Sequence, residues 1–465
     1  MNFMGIDVGT TSVKSAVFDE ALNEKIKLCA DYTLDSRGDT VEFPAEKYWD
    51  IVKEEIEKVR KTLQIDALAI DTQCETLILT DEEGNPTRPA IVWLDNRATE
   101  EAELIREHFG NERVYEVTGQ PEVTATWPAA KLLWVKRHEP VVYAKTKRIF
   151  LLEDYLLYKM TGRFITERTL QSSTIYLDIR SGEWWDEMLD FIGVERDMLP
   201  ELLDSGVEVG DYDGIRVVTG AMDQVSGAIG AGVVDSGIVS VMTGTTMVIF
   251  TPTDKQPEYD ATSIVPCHYN YDGNYCLLSW SPTAGMALKW FKNALCESFS
   301  FSELDALCEK IAPGSDGVTF LPYLCGSTMP KYNPEARGSF TGLTTEHVRG
   351  HFVRSVMESV ACMLRSNLEY LGNEVREIRA MGGGATSPLW CQMKSDMTGR
   401  RLVTLKNKET ACLGGAILAG VGVGVFPSVK DAASRISLDA AYEPSGVDYG
   451  ECYERFLKYD KILNV

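Results

Sequence analysis

Two short turns in this sequence combine glycine with hydroxyl side chains, a pairing suited to binding phosphate. The first is Gly9-Thr10-Thr11-Ser12 and the second is Gly244-Thr245-Thr246. Each lies between two short apolar runs, which predicts a β-hairpin. Glycine lets backbone N–H groups approach an anion with no Cβ in the way, and hydroxyls add donors. Two such turns facing each other would clasp a polyphosphate, although each is equally compatible with a plain hairpin turn.

Two aspartates stand beside these features. Asp7 ends the first apolar run, where a carboxylate can hold Mg²⁺ next to bound phosphates. Asp223 lies between an apolar strand at 216–219 and a small-residue helix predicted at 226–232. Ligands of open α/β sheets gather at the carboxyl ends of strands, and a carboxylate there can take the proton of a hydroxyl nucleophile. The structural alternatives are a turn cap for Asp7 and a helix N-cap for Asp223.

A third feature is a run of three glycines, Gly382-Gly383-Gly384, followed by Ala385. It comes after a short apolar run and before an amphipathic stretch at 389–398. Backbone without side chains allows close approach of a flat ring or a ribose. Taken alone, the run is equally compatible with a plain loop.

The elements that must position these residues alternate between strands and helices. The sequence predicts a hairpin at 3–18, a strand at 26–34, a helix at 48–61 and a strand at 67–70. The strand–turn–strand pattern returns at 238–250. A repeat of this kind indicates a duplicated unit, and the order of elements predicts a mixed α/β fold.

The chain of 465 residues is long enough for two or three domains. We place a division near residue 216, which gives an N-terminal domain at 1–216 and a C-terminal domain at 217–465. Residues 98–200 have helical patterns and several tryptophans, so we interpret them as an insertion on the first domain. No low-complexity linker marks the division, and we expect the two halves to meet along a cleft.

Composition excludes several classes of function. The net charge of −23 disfavours a nucleic-acid partner, because an acidic surface repels a polyphosphate backbone. No apolar run approaches the ~20 residues that a membrane span needs. The N-terminus lacks the basic region of a signal peptide, and 11 cysteines without a CxxC pair indicate a reducing cytosol. We therefore expect a cytoplasmic protein with no nucleic-acid or membrane partner.

Nearly the whole chain resembles the FGGY family of carbohydrate kinases. The segments that carry the resemblance are, in order, Gly5 to Ser12, Pro89 to Arg97, Pro128 to Val135, Phe320 to Leu324, Gly338 to Leu343, Ser355 to Glu358 and Gly382 to Ala385. The resemblance implies an α/β protein with two ribonuclease-H-like domains of the actin and hexokinase type, flanking a cleft. It also implies transfer of a phosphoryl group from ATP to a hydroxyl of a small sugar or polyol.

The resemblance implies roles for individual residues. Asp223 would be the catalytic base, and Asp7 would be the carboxylate on the Mg²⁺ side. The residues expected to contact the nucleotide are Thr10, Thr11, Ser12, Lys14, Gly244, Thr245, Gly383, Gly384 and Ala385.

The substrate segment departs from the patterns of the family. Glycerol kinases hold their polyol through an arginine and a glutamate in a Gln-Arg-Glu-Thr segment, whereas this chain has Gln73-Cys74-Glu75-Thr76. Xylulokinases usually have a methionine–histidine pair in place of Cys74-Glu75. Asp223-Gln224 is similar to glycerol kinase, while Trp93 to Arg97 looks closer to xylulokinase.

The residues expected to contact the substrate are Gln73, Cys74, Glu75, Trp93, Asp223 and Gln224. Glu75 can accept two sugar hydroxyls, or it can pair with a nearby cation. Trp93 and Trp127 are candidate walls of the sugar pocket or plain core residues. Xylulose or a related ketopentose is the leading substrate, ahead of glycerol, erythritol or another polyol or sugar acid. A nucleotide-dependent sensor or scaffold of the actin-like fold is the alternative from another class, and a homodimer is one alternative for the oligomeric state.

Overall fold

A computed structural model describes residues 1–372 and 374–463, and this part of the chain forms 24 strands and 16 α-helices. The elements up to residue 91 are β1 (Asn2–Val8), β2 (Ser12–Asp19), β3 (Glu24–Asp31), β4 (Asp35–Arg37), β5 (Thr40–Phe43), α1 (Ala45–Arg60), β6 (Ala67–Thr72), β7 (Leu77–Thr80) and β8 (Ala90–Ile91).

The elements from residue 99 to 218 include the predicted insertion. They are α2 (Thr99–Phe109), α3 (Asn111–Thr118), α4 (Pro128–His138), α5 (Pro140–Lys145), β9 (Arg148–Leu151), α6 (Leu152–Thr161), β10 (Ile165–Glu167), α7 (Arg168–Gln171), β11 (Leu177–Asp178), β12 (Glu183–Trp184), α8 (Asp186–Ile192), β13 (Glu201–Leu203), β14 (Glu208–Tyr212) and β15 (Ile215–Val218). Helices dominate residues 98–200, with four short strands, β9 to β12, between them.

The remaining elements follow residue 222. They are α9 (Asp223–Gly230), β16 (Ile238–Thr243), β17 (Met247–Thr253), β18 (Cys267–Tyr269), β19 (Tyr275–Ser281), α10 (Gly285–Leu295), α11 (Phe301–Cys308), β20 (Thr319–Leu321), β21 (Ser339–Thr341), α12 (Arg349–Leu371), β22 (Glu377–Met381), α13 (Pro388–Thr398), β23 (Arg401–Leu405), α14 (Thr410–Gly422), α15 (Val429–Ala433), β24 (Leu438–Tyr442) and α16 (Gly450–Leu463). No helix in the two described ranges is long and apolar enough to cross a membrane.

Two central sheets repeat one arrangement. The first has the order β14-β15-β6-β1-β2-β3 and the second β18-β19-β17-β16-β22-β23-β24. In the first sheet β1 pairs antiparallel with β2 and parallel with β6. In the second, β16 pairs antiparallel with β17 and parallel with β22. The strands of the first sheet all precede residue 219 and those of the second all follow residue 237, which supports the proposed division near residue 216.

Helix α14 comes late in the chain but packs against the first sheet and against α9. A Cβ built on Gly5 of β1 would lie 1.7 Å from the carbonyl oxygen of Cys412 on α14. A Cβ on Gly414 would lie 1.9 Å from the carbonyl oxygen of Ser226 on α9. Only glycine allows backbones to approach this closely. Phe3 of β1 and Leu413 of α14 belong to one buried apolar cluster, so the two halves share part of their core.

Candidate active site

Strands β1 and β6 end side by side, and their ends begin the candidate site. Asp7 pairs in register with Asp71 on the parallel neighbour. The N–H of Gly9 donates to the carbonyl of Ser12 at 3.0 Å, which closes the first glycine turn. The N–H of Gln73 donates to the carbonyl of Val8 at 2.9 Å. The first turn and the segment at 73–75 are therefore held at the same edge of the sheet.

Asp223 joins this edge from the start of α9. The helix begins at Asp223 with Met222 as its N-cap, so the carboxylate is not the N-cap residue. Its Oδ1 accepts a hydrogen bond from the N–H of Gln224 at 2.6 Å and from the Cys74 thiol at 3.7 Å. Burial and the charge of Asp7 raise the pKa of Asp223 to about 7. A carboxyl that titrates near neutral pH suits a general base.

Glu75 has an unusual backbone conformation, with a φ of 57° in the left-handed region. Non-glycine residues rarely adopt it, and such strain concentrates at functional sites. Burial raises the pKa of the Glu75 carboxyl to about 8, Lys131 acts in the opposite direction, and Asp223 raises the pKa further. The Lys131 ammonium donates to the carbonyls of Glu75 and Val92, each at 3.1 Å.

Lys131 is a site residue that the sequence analysis missed. It is fully buried in α4, and burial lowers its pKa to about 7. Its position in the matching segment 128–135 was the one available signal. Because it binds the backbone of Glu75, it holds the strained segment in place.

Asp71 is fully buried, and neither of its carboxyl oxygens has a hydrogen-bond partner. Burial, reinforced by the charges of Asp7, Asp223 and Glu153, raises the pKa of Asp71 well above its ordinary value. The charged form is costly at this position because no donor compensates for its lost hydration. The sequence analysis did not single out this residue.

The donor set at this edge fits Mg²⁺ held mainly by phosphates and water. Among residues 1–372 and 374–463, no three His, Cys, Asp or Glu side chains form an arrangement that could hold a metal ion. Proteins commonly bind Mg²⁺ through one or two carboxylates together with substrate phosphates. Asp7 is half-buried beside the first turn, and burial raises its pKa to about 6 while Lys14 acts to lower it.

Replacing Asp71 with asparagine is expected to stabilise the nucleotide-free protein at pH 7.5 more than at pH 4.5. A carboxyl whose pKa is raised on folding lowers the free energy of unfolding as pH rises above its pKa in the unfolded chain. The loss is up to about 1.4 kcal/mol per pH unit. The amide of the Asp71→Asn variant does not ionise, so the variant has no such loss. Thermal unfolding of both proteins at the two pH values measures the effect.

The control for this substitution is Asp81→Asn. Hydrogen bonding from Asn85 lowers the pKa of Asp81, so removing that carboxylate should weaken the fold as pH rises above 4. A gain for Asp71→Asn of equal size at both pH values would show that its charge is not the cause.

A cavity of about 1050 Å³ opens beside the second sheet. It brings together four residues predicted to contact the nucleotide: Gly244, Thr245, Gly383 and Gly384. The N–H of Gly285 at the start of α10 donates to the carbonyl of Gly244 at 2.8 Å, which fixes the second glycine turn against that helix. Trp290, Asn293, Phe301 and Asp305 also line the cavity, and the sequence analysis did not single them out because they belong to no recognisable motif.

The other predicted nucleotide residues lie outside this lining. The indole of Trp93 donates to the Thr10 hydroxyl at 2.9 Å, so Trp93 contacts the first turn. The ammonium of Lys14 forms a salt bridge with Glu409 at 3.3 Å. Thr11 is exposed, Ser12 is half-buried, and Ala385 is half-buried in the short helical turn Gly383–Ala385.

Gln73, Gln224 and Trp127 differ in whether their side chains already form hydrogen bonds within the protein. The Gln73 amide donates to Tyr48 at 3.0 Å, whereas Gln224 is exposed. The Trp127 indole donates to the carbonyl of Glu122 at 2.8 Å, which ties it to its own loop.

Two family models match the chain. The N-terminal domain of the FGGY family of carbohydrate kinases matches residues 2–232, and the C-terminal domain of that family matches residues 239–423. The chain belongs to the FGGY family of carbohydrate kinases. It is therefore a phosphotransferase, and sugar kinases of this family use ATP.

This FGGY kinase is 29% identical to the xylulose kinase of Bacillus subtilis (strain 168). The alignment has 466 positions and covers 94% of this chain and 91% of that one. The kinase is 27% identical to the gluconokinase of the same organism, covering 99% and 96% of the two chains. The crystal structure of Plasmodium falciparum glycerol kinase with ADP matches at a TM-score of 0.89 and 25% identity, covering 99% and 97%. The predicted α/β fold of two ribonuclease-H-like domains is confirmed.

Proposed function

We propose that this kinase phosphorylates a hydroxyl of xylulose or a related ketopentose, with Asp223 as general base and Mg-ATP as donor. The arrangement that carries the proposal is the carboxylate of Asp223 beside Cys74, at the sheet edge that also holds Asp7 and the first glycine turn. The similarity to xylulose kinase supports a ketopentose.

The sugar would bind against the segment at 73–75, which follows β6 and contains the strained Glu75. Glu75 would form hydrogen bonds with two sugar hydroxyls, with its backbone held by Lys131. Asp223 would take the proton of the reacting hydroxyl as the new bond to phosphorus forms. Its pKa of about 7 leaves a large fraction ionised at neutral pH.

The two glycine turns would bind the phosphates. Gly244 and Thr245 lie in the large cavity, and Thr10, which accepts a hydrogen bond from Trp93, would contact the terminal phosphate from the first turn. Mg²⁺, when bound with ATP, would neutralise charge on the phosphate oxygens beside Asp7. Gly383 and Gly384, bare of side chains, leave room for the nucleoside.

A sugar acid is the second candidate, because the gluconokinase of Bacillus subtilis is a similar relative. The charges at the site favour a neutral substrate instead. Asp7, Glu75 and Asp223 are carboxyl groups, and the nearby cation Lys131 is directed at backbone carbonyls. A substrate carboxylate would meet the charge of Asp7 and of the ionised fraction of Asp223 at this edge, which costs binding energy.

A coupled assay of ADP release over xylulose, ribulose, fructose, glycerol, erythritol and gluconate tests the proposal. We expect the highest kcat/KM with a ketopentose, and the phosphorylated sugar should form in equal amount to ADP. A clear preference for gluconate or glycerol would replace the proposed substrate. ADP release that is independent of every sugar would instead support a nucleotide-dependent sensor.

A further inference from the structure

A buried lysine lies directly behind the wall of the large cavity. Lys394 of α13 is 1% exposed. Its ammonium donates to the hydroxyl of Thr243 at 3.0 Å and to the carbonyl of Gly384 at 3.5 Å, and it lies 4.5 Å from the ring centroid of Trp390. Thr243, Gly384 and Trp390 all line the cavity. The ammonium is therefore separated from the cavity by its own hydrogen-bond partners.

The contacts of Lys394 join two segments of the nucleotide site. Thr243 ends β16 and directly precedes the second glycine turn, and Gly384 lies in the turn Gly383–Ala385. A Cβ on Gly384 would lie 2.7 Å from the Cβ of Thr243 and 3.1 Å from the Lys394 ammonium. One side chain thus fixes the spacing between the phosphate turn and the glycine run.

The surroundings of Lys394 contain no negative charge to balance it. Within the described ranges, Lys394 forms no salt bridge, and its partners on β16 and on the turn are uncharged oxygens. Cys391 on the same helix would raise the pKa of Lys394 if its thiol were ionised. Burial raises the pKa of that thiol, although Lys394 and Lys408 act to lower it, so Cys391 is neutral and supplies no charge. A buried ammonium without a counter-ion is costly, and accordingly burial lowers the pKa of Lys394 to about 8.

We propose that Lys394 is a positioning residue of the nucleotide site, which holds the two turns together and whose charge is balanced by the phosphates of the bound nucleotide. This inference rests on the proposed nucleotide site in the cavity. Lys394 would then contribute to affinity only for ligands that carry phosphates. Its contribution should appear with ADP and be absent with adenosine.

Calorimetry of ADP binding at pH 8 in two buffers of different ionisation enthalpy measures the linked protons. The phosphates should raise the pKa of Lys394, so the wild type should take up as much as about 0.5 proton on binding. The phosphates of ADP titrate near pH 6 and contribute little at pH 8. By the same linkage, ADP affinity of the wild type should fall as pH rises from 7 to 9.

The variant is Lys394→Met, which keeps the length of the stem and removes the charge. We expect its ADP affinity to fall about tenfold, its proton uptake to fall by the share that Lys394 supplies, and its adenosine affinity to stay within about twofold of wild type. The matched control is Lys310→Met, which removes an exposed lysine. It should bind ADP with wild-type affinity and proton uptake.

Unchanged ADP affinity and proton uptake in Lys394→Met would overturn the inference. Absence of proton uptake by the wild type near pH 8 would overturn it equally, and that measurement needs no variant to fold. A wild-type protein that fails to bind ADP would instead refute the nucleotide site of the proposed function.

Discussion

We expect Asp223→Asn to lower kcat by about 10²–10⁴-fold, because the proposed general base would be lost. Asparagine keeps the size of the side chain and can still accept from the N–H of Gln224, but it cannot take a proton. Because Asp223 does not line the large cavity proposed to bind the nucleotide, ADP affinity should stay within about twofold of wild type. Steady-state kinetics on the best sugar and ADP calorimetry measure the two quantities.

The control is Asp235→Asn, which removes a carboxylate paired with Lys430 beyond the same helix and should leave kcat unchanged. The pH profile adds a second check. The pKa of Asp223 lies near 7 in the free protein, so the ionised fraction, and with it wild-type kcat/KM, should decline below that pH. Substantial turnover by Asp223→Asn in a preparation free of other kinases would disprove its role as base.

We expect Glu75→Gln to raise the KM for the sugar by about 10- to 100-fold, with a smaller change in kcat. Leaving a buried hydroxyl of the sugar without its partner costs about 1–3 kcal/mol, which corresponds to this range of affinity. Glutamine keeps the shape of the side chain but can accept at only one of its two former oxygens. Initial rates at varied sugar and at varied ATP separate the two KM values.

Glu122→Gln is the control, because burial also raises the pKa of Glu122, in another loop. Neither KM should change in that variant. If Glu75→Gln lowers the thermal stability but leaves the sugar KM unchanged, Glu75 serves as a structural partner of Lys131. If it raises the KM for ATP and for sugar equally, the substitution has disturbed the whole edge of the sheet.

The two hairpins could be predicted because their signals are local. Apolar runs on either side of residues 9–12 and 244–246 place the strands, and glycine fixes the turns between them. The position of Asp223 was predicted less well: α9 begins three residues before the expected start at Ser226, because Asp223 and Gln224 are polar and carry no apolar period. The sequence therefore placed Asp223 before the helix, whereas the structure places it in the first turn of α9.

Buried charged residues could not be predicted in the same way. Lys131 and Lys394 lie in apolar helices, where a lysine is normally expected to extend towards solvent. Their partners, Glu75 and Thr243, are distant in sequence, and only the packing of helix against strand brings them together. Asp71 looked like an ordinary strand residue for the same reason.

The close approach of Gly5 on β1 to Cys412 on α14 limits how the second half of the chain can move against the first sheet. Two backbone segments in direct contact cannot slide past each other, because a shift of even one ångström would create a clash or open a void. We therefore expect any relative movement of the two halves to be a rotation about this contact. A small rotation there gives a large displacement far from the contact, so we expect the buried packing to stay intact while distant parts of the two halves approach or separate.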